Sequence, residues 1–523
     1  MAKDPGSENQ DPRTGAADVI GDGHDGSGAA ALAGGQQWFG HPRGLSTLFF
    51  TEMWERFSYY GMRAILVLFM TAAIAGNNPG LGLAVGTATA IYGLYTFFVY
   101  VLSLPGGWVA DNIWGQKKAV FVGGVIIMLG HISLAVPLAA TFYLGLALVV
   151  VGTGLLKPNV STMVGDLYPE GGARRDAGFS IFYMGINIGA LAGTALVGLV
   201  GENYNFHWGF SLAAVGMFLG LVQYKLGWGH LGTAGDLKTD DTAARVAQKS
   251  RNFYIASAAF VGFVIVVGFL ITSGALPITI EQVAGSLGVI VVVLAIAYFL
   301  YLHFAGGLEP IEKKRLWVIF WLFILAALFW MGFEQAGSSL NLFARDLTDR
   351  TFGGWEMPAS WLQNVNPFFI IVLAPVFGSM WVWLSKRNLN PSIPLKFAFG
   401  LFGLSVGFFV LAWGAANATP ENPVSPAWLV VTYFFHTAGE LALSPVGLSS
   451  MTKLAPKGRV GQMMGVWFIA AALGNLFAGL TAGQLETLAP SALFWNVALI
   501  VGGAGLVGLL ASPFVKRLMG DIE

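Results

Sequence analysis

No cysteine occurs in the chain. That absence excludes disulfides, iron–sulfur ligation and a thiol nucleophile, and it leaves no cysteine pattern from which a redox compartment could be read. Charge is scarce as well. Asp, Glu, Lys and Arg make up 11% of the 523 residues, against about 25% in a soluble domain. The 28 basic residues balance the 28 acidic ones, so nothing in the charge points to a nucleic-acid partner. The chain also lacks G-x-x-x-x-G-K-[ST], which cradles ATP phosphates, and H-E-x-x-H, which sets a zinc site on one helix face. No cofactor or metal is expected, and energy-driven work would have to draw on a gradient rather than on ATP. "GLSVG" at 403–407 and "GAGLVG" at 503–508 match short catalytic and dinucleotide patterns, but both lie inside apolar runs and follow no strand.

What the chain has in excess is apolar sequence, at 55%. Runs of roughly 20 residues, long enough to cross a bilayer, fall near 46–75, 84–110, 118–137, 141–163, 177–200 and 209–228. Two more lie near 252–272 and 286–306, and six others near 316–345, 362–385, 393–415, 426–451, 459–484 and 489–516. The basic residues sit in alternate connections: Lys117 and Lys118; Arg174 and Arg175; 238–251; Lys313 to Arg315; Lys386 and Arg387; Lys453 to Arg459; Lys516 and Arg517. The intervening connections hold only Arg345 and Arg350. By the positive-inside rule both termini face the cytoplasm and the number of spans is even.

The expectation is an all-α integral membrane protein of 14 transmembrane helices. Its parts are a disordered cytoplasmic tail (1–45), an N-terminal six-helix bundle (46–228), a linker with an inserted two-helix hairpin (229–315) and a C-terminal six-helix bundle (316–523). Two six-helix halves joined by a basic connection are the layout of a major facilitator fold. "GGWVADNIWGQKK", with Gly107, Asp111, Gly115, Lys117 and Lys118, is similar to that superfamily's loop between helices two and three. The inserted pair reads as peripheral, since neither helix carries an ionisable residue in its apolar part.

Within the spans a short list of charges remains: Glu52, Glu55, Arg56, Arg63, Lys157, Glu334 and Glu440, with Lys396 at the interface. Each costs about 2.5–3.5 kcal/mol at the centre of a bilayer, so each is a functional candidate. Relative to Glu52, the residues Glu55, Arg56, Tyr59 and Arg63 lie three, four, seven and eleven positions on, along one helical stripe. Glu52 and Arg56 could neutralise one another as a purely structural pair, but Arg63 has no acid within reach on its own helix. Its partner must come from elsewhere, and Glu334 and Glu440 are the candidates. Lys157 precedes Pro158, where a kink can open a gap toward a central cavity; the bland alternative is a lysine snorkelling to the interface. His131 and His436 read as packed histidines, with His436 a minor proton-relay candidate because it lies one turn before Glu440.

The first half thus contributes Arg63 and Lys157, the second Glu334 and Glu440. A cavity between a positive and a negative wall suits a zwitterion. Acids in such surroundings can exchange protons, and a charge pair that breaks when one partner protonates acts as a gate. A membrane enzyme would need a nucleophile or metal cluster that is not found, and a channel would favour rings of like charge.

"EMWERFSYYG" at 52–61 resembles the E-x-x-E-R-F-x-Y-Y-G signature of the proton-dependent oligopeptide transporter family. "FYMGINIGAL" at 182–191 resembles its second signature, and the likeness runs from about 46 to 516, taking in "GLLKPNVSTMVGDLY" and "GELALSPVGLSSM". The resemblance implies a proton-coupled importer of di- and tripeptides, working as a monomer in the inner membrane among lipid, with no enzymatic activity. It implies that Glu52, Glu55, Arg56, Lys157, Glu334 and Glu440 serve proton coupling and that Arg63 and Glu334 form a gate. It places peptide at Tyr60, Arg63, Tyr95, Lys157, Asn187, Trp330, Asn366, Glu440, Ser444 and Trp467, with Glu440 meeting the amine and also able to pair with Lys157. Ala190 stands where the second signature often has serine, and the second helix lacks the histidine of animal relatives. The intact E-x-x-E-R favours peptides over nitrate. Another small zwitterion or an anion is the alternative substrate.

Overall fold

The computed structural model describes residues 37–520 and 522. Most of the expected tail, 1–36, lies outside the described residues. The remainder, read from its composition as disordered, is folded: Gln37–Trp38 pairs antiparallel with His41–Pro42, turning through Phe39 and Gly40, both at positive φ, as a two-residue hairpin requires. Trp38 packs on Phe49 at 5.5 Å, and the His41 ring is hydrogen-bonded to the Tyr168 hydroxyl at 2.8 Å, where burial pushes that phenol up to about 12. Two aromatic contacts thus dock a segment whose glycine and polar content suggested none.

Fourteen long helices follow among the described residues: α1 (Gly44–Thr71), α2 (Val85–Trp114), α3 (Gln116–Ala135), α4 (Ala139–Asp166), α5 (Gly172–Asn203), α6 (Phe206–Leu226), α7 (Ala243–Thr272), α8 (Ile280–Ala305), α9 (Pro310–Leu347), α10 (Ala359–Lys386), α11 (Ile393–Gly414), α12 (Ala427–Leu454), α13 (Val460–Glu486) and α14 (Pro490–Met519). Helices α1–α6 and α9–α14 form two six-helix bundles, with α7 and α8 inserted between them in sequence. Twelve of the fourteen are long and apolar enough to cross a membrane. The two that fall short, α1 and α12, have 28 residues each, enough at 1.5 Å per residue for about 42 Å; their apolar character is diluted by the charges that matter below.

Helix ends follow local chemistry. Asn205 accepts from the His207 and Trp208 amides to start α6, and capping boxes start α8 (Thr279 with Gln282) and α9 (Glu309 with Glu312, Pro310 next). Thr242 likewise accepts from the Arg245 amide to start α7, so Lys249 to Arg251 and, on α9, Lys313 to Arg315 lie inside helices, although the sequence reading left them in loops. An apolar run stops at the first charge, whereas a capped helix continues beyond the hydrocarbon. Gly115, at φ 74°, turns the chain between α2 and α3. Lys117 just beyond it reaches Asp236 at 2.8 Å and the Gly232 carbonyl, so this loop seats the linker after α6.

The bundles touch along α2 and α13, where Gly93 and Gly479 meet so closely that a Cβ on Gly479 would collide with the Thr89 carbonyl. The inserted helices differ. No described side chain of α7 is buried, whereas α8 buries Ala284, Gly288, Phe299 and Leu302 and ties to α2 through Thr87–Glu281 (2.5 Å) and to α13 through Tyr298–Gln462 (2.9 Å).

Candidate functional site

Gly185 and Gly189 of the second signature and Gly193 just beyond it recur every fourth residue on α5 and lie against Phe49, Met53 with Arg56, and Phe57 of α1. Side chains there would push α1 away. Their absence draws its charged stripe into the interior, where Glu52, Glu55 and Arg56 are all buried. Arg56 Nε donates to Glu52 Oε1 at 2.7 Å and lies 3.2 Å from Glu55 Oε2. Both Glu55 oxygens and Glu52 Oε2 lack a hydrogen-bond donor among the described residues.

Two turns on, Arg63 pairs with Glu334 of α9. Its Nε donates to the Tyr92 hydroxyl of α2, and its guanidinium lies 5.8 Å from the Tyr60 ring. Of the two acids the sequence left open for Arg63, the geometry selects Glu334. Glu440 of α12 instead accepts from Asn366 of α10 at 3.1 Å, and Asn366 also donates to Thr437 at 2.9 Å. No ion pair joins Lys157 to Glu52, Glu55 or Glu440 among the described residues. Its ammonium lies 4.2 Å from the centre of the Tyr100 ring. The pairing with Glu440 suggested by resemblance is therefore not made here, because the Tyr100 face and Asn366 occupy the two partners.

The other expected residues scatter around this axis. Tyr95 stacks on Tyr59 at 6.4 Å, with its hydroxyl unpartnered among the described residues. Trp330 likewise keeps an unpartnered indole N–H and stands edge-on to Phe333. Asn187 donates to the Tyr183 carbonyl, and Ser444 is half-buried. Trp467 is wedged against Gly447 and Phe397 inside the second bundle. His436 packs on Phe408 at 4.7 Å, and among the described residues no hydrogen bond links it to Glu440; His131 is wholly buried. Nor do any three acids or histidines among the described residues converge to hold a metal.

Two residues escaped the sequence reading. The Tyr92 hydroxyl accepts from Arg63, and Tyr100 offers its ring face to Lys157. The signal was present: three tyrosines, 92, 95 and 100, interrupt one apolar helix.

Polar contacts between the bundles gather at one end, opposite the basic loops. Besides Arg63–Glu334, Asn341 donates to the Ala64 carbonyl (2.8 Å), Arg345 to Thr71 (2.7 Å), the Gly86 amide to Glu486 (2.7 Å) and Trp361 to the Ala195 carbonyl (2.9 Å). That end is shut. Away from that end the first bundle carries the Glu52–Glu55–Arg56 cluster and Lys157, and the second carries Glu440.

The sequence profile of the POT family matches residues 117–495. The peptide transporter of Yersinia enterocolitica subsp. palearctica is 40% identical over 505 residues, covering 94% of this chain and 98% of that one. A di-/tripeptide transporter of Lactococcus lactis subsp. cremoris is 38% identical over 495 residues, with 93% and 98% covered. A crystal structure of a mutant peptide transporter POT in complex with alafosfalin superposes with a TM-score of 0.85 at 41% identity, covering 95% of this chain and all of the other. A profile match over more than half the sequence, with relatives matched nearly end to end, leaves one conclusion: the chain is a multi-pass membrane protein and belongs to the POT family.

Proposed function

We propose that the chain is a proton-coupled symporter that imports di- and tripeptides by alternating access, as a monomer in the cell's inner membrane. The positive-inside rule assigns the basic end, and with it both termini, to the cytoplasm, and the shut end to the outside. The transporting bundles are assigned to 46–228 and 316–523, with 229–315 as the connecting insert.

The observation that carries this reading is the division of charge between the bundles: Arg63 joined to Glu334 at the shut end, with Lys157 on the first bundle and Glu440 on the second. A short peptide carries a carboxylate and an amine a few ångströms apart, and the two bundles offer each a counter-charge. The relatives named as peptide transporters supply the substrate class. In this scheme Glu52, Glu55, Arg56 and Lys157, with Glu334 and Glu440, exchange and relay protons. The peptide lies among Tyr60, Arg63, Tyr95, Lys157, Asn187, Trp330, Asn366, Glu440, Ser444 and Trp467, and Arg63–Glu334 is the gate. Entry of a proton or peptide competes with the gate's attraction, which couples the gradient to opening.

Purified protein in proteoliposomes tests this. An inward proton gradient should accelerate uptake of a labelled dipeptide, a protonophore should abolish the acceleration, and counterflow should persist without a gradient. Absence of counterflow for every di- and tripeptide tried would overturn the substrate; uptake indifferent to the gradient would overturn the coupling.

A further inference from the structure

Glu202 sits in the last turn of α5, where the helix macrodipole disfavours an acid. It does not turn to solvent. Its carboxylate crosses to the other bundle and accepts from the Ala359 amide at 2.7 Å and the Ser360 amide at 3.0 Å. These are the first two N–H groups of the 3₁₀ turn Ala359–Asn364 that opens α10, groups that a helix start leaves without partners of its own. The unfavourable position on one helix is thus a favourable one at the start of another. One turn earlier Gly198 gives Ser360 room, since a Cβ there would collide with its hydroxyl. Trp361 adds its hydrogen bond to the Ala195 carbonyl on the same face.

Helix α10 needs such a tether. Past its opening turn Ile370 alone is buried among the described residues, so little apolar packing fixes its place, yet it carries Asn366, the hydrogen-bond donor to Glu440. The α5–α10 contact is also separate from Arg63–Glu334, which joins α1 to α9.

We propose that Glu202 is a positioning residue of the transport cycle: it latches the start of α10 to α5, holds the outer end shut, and releases two backbone N–H groups to water when the bundles part. This rests on the alternating-access reading above, but its test does not require uptake.

The cysteine-free chain allows single reporters. Ser360→Cys, buried at the latch, is reached by a membrane-impermeant maleimide from outside only when the seam opens. Ser180→Cys, exposed on α5 toward the basic end, is reached from inside. In both backgrounds Glu202→Gln and Glu202→Ala are compared with the parent. Losing charge-assisted bonds that hold one of two states should speed outside labelling of the first reporter about tenfold or more and slow inside labelling of the second. Unchanged rates, or faster labelling at both sites, would overturn the latch, the latter because it signals general loosening. If neither variant reaches the membrane, Glu202 is a folding residue and the latch is withdrawn. A latch response without peptide uptake would instead count against the transport reading alone.

Discussion

Glu55 and Glu52 are three residues apart, but their surroundings differ. Glu52 receives the Arg56 Nε–H, whereas neither oxygen of Glu55 meets a donor among the described residues. Glu55→Gln imitates the protonated acid and leaves the Arg56–Glu52 bond in place, so it should fold normally, keep counterflow, and lose gradient-driven uptake at least about tenfold. Glu52→Gln should also lower thermal stability, because weakening a buried charge's partner is costly. Uptake, counterflow and Tm measured together distinguish the two; equal Tm losses would remove the distinction. At Glu440 the expectation concerns the ligand. Glu440→Gln should weaken binding of a free-amino dipeptide by about 10–100-fold, the worth of one charge-assisted hydrogen bond, and that of its N-acetylated form far less. Calorimetry with both ligands settles it, and equal losses would move the amine elsewhere.

Among the elements, the inserted helices are the instructive pair. Their spans are almost equally apolar, and neither carries a charge in its apolar part, so the sequence reading treated both as peripheral. Hydropathy measures compatibility with lipid and is blind to whether lipid or protein supplies the contact. α7 meets α2 through Lys249 on Asn112 (2.8 Å) and Phe253 on Trp108 (6.2 Å) but buries no described side chain, whereas α8 buries four residues. A Cβ on Gly288 would lie 3.0 Å from the Phe477 ring, whereas one on Gly262 of α7 would meet nothing within 4 Å beyond its own helix. Gly288→Leu should therefore destabilise by about 1–3 kcal/mol through overpacking, while Gly262→Leu should leave Tm unchanged; a thermal shift series of the two variants decides. On α2, Tyr100 offers Lys157 the face of its ring. Tyr100→Phe keeps that face and should transport nearly as well as the parent, and Tyr100→Leu should lose several-fold, a cation–π contact being worth about 0.5–2 kcal/mol. Equal activity of the two would make the contact incidental.

For the whole molecule the decisive contact is Arg63 with Glu334, residues 271 positions apart. Removing one partner strands a buried charge, whereas Arg63→Glu with Glu334→Arg restores attraction. Each single neutral variant should therefore damage uptake more than the swap, and the effects of the singles should fail to add in the double neutral variant. Additive effects would show that the two do not interact during transport.

The sequence by itself determined what runs along a single helix: the number of spans, the six-two-six grouping, the stripe of Glu52, Glu55, Arg56 and Arg63, and the signatures that point to the family. Apolar run length and residue spacing are local quantities, and the bilayer makes them unusually legible. Tertiary structure decided what faces what. It chose Glu334 over Glu440 for Arg63, set Lys157 on Tyr100 rather than beside an acid, brought Asn366 to Glu440, and turned Glu202, indistinguishable in the sequence from a loop acid, onto the start of α10. The physical reason is that these partners belong to different helices, whose relative height and rotation follow from glycine faces such as Gly185, Gly189 and Gly193 closing on their neighbours. That arrangement depends on all the packed surfaces together, and no spacing within one segment records it.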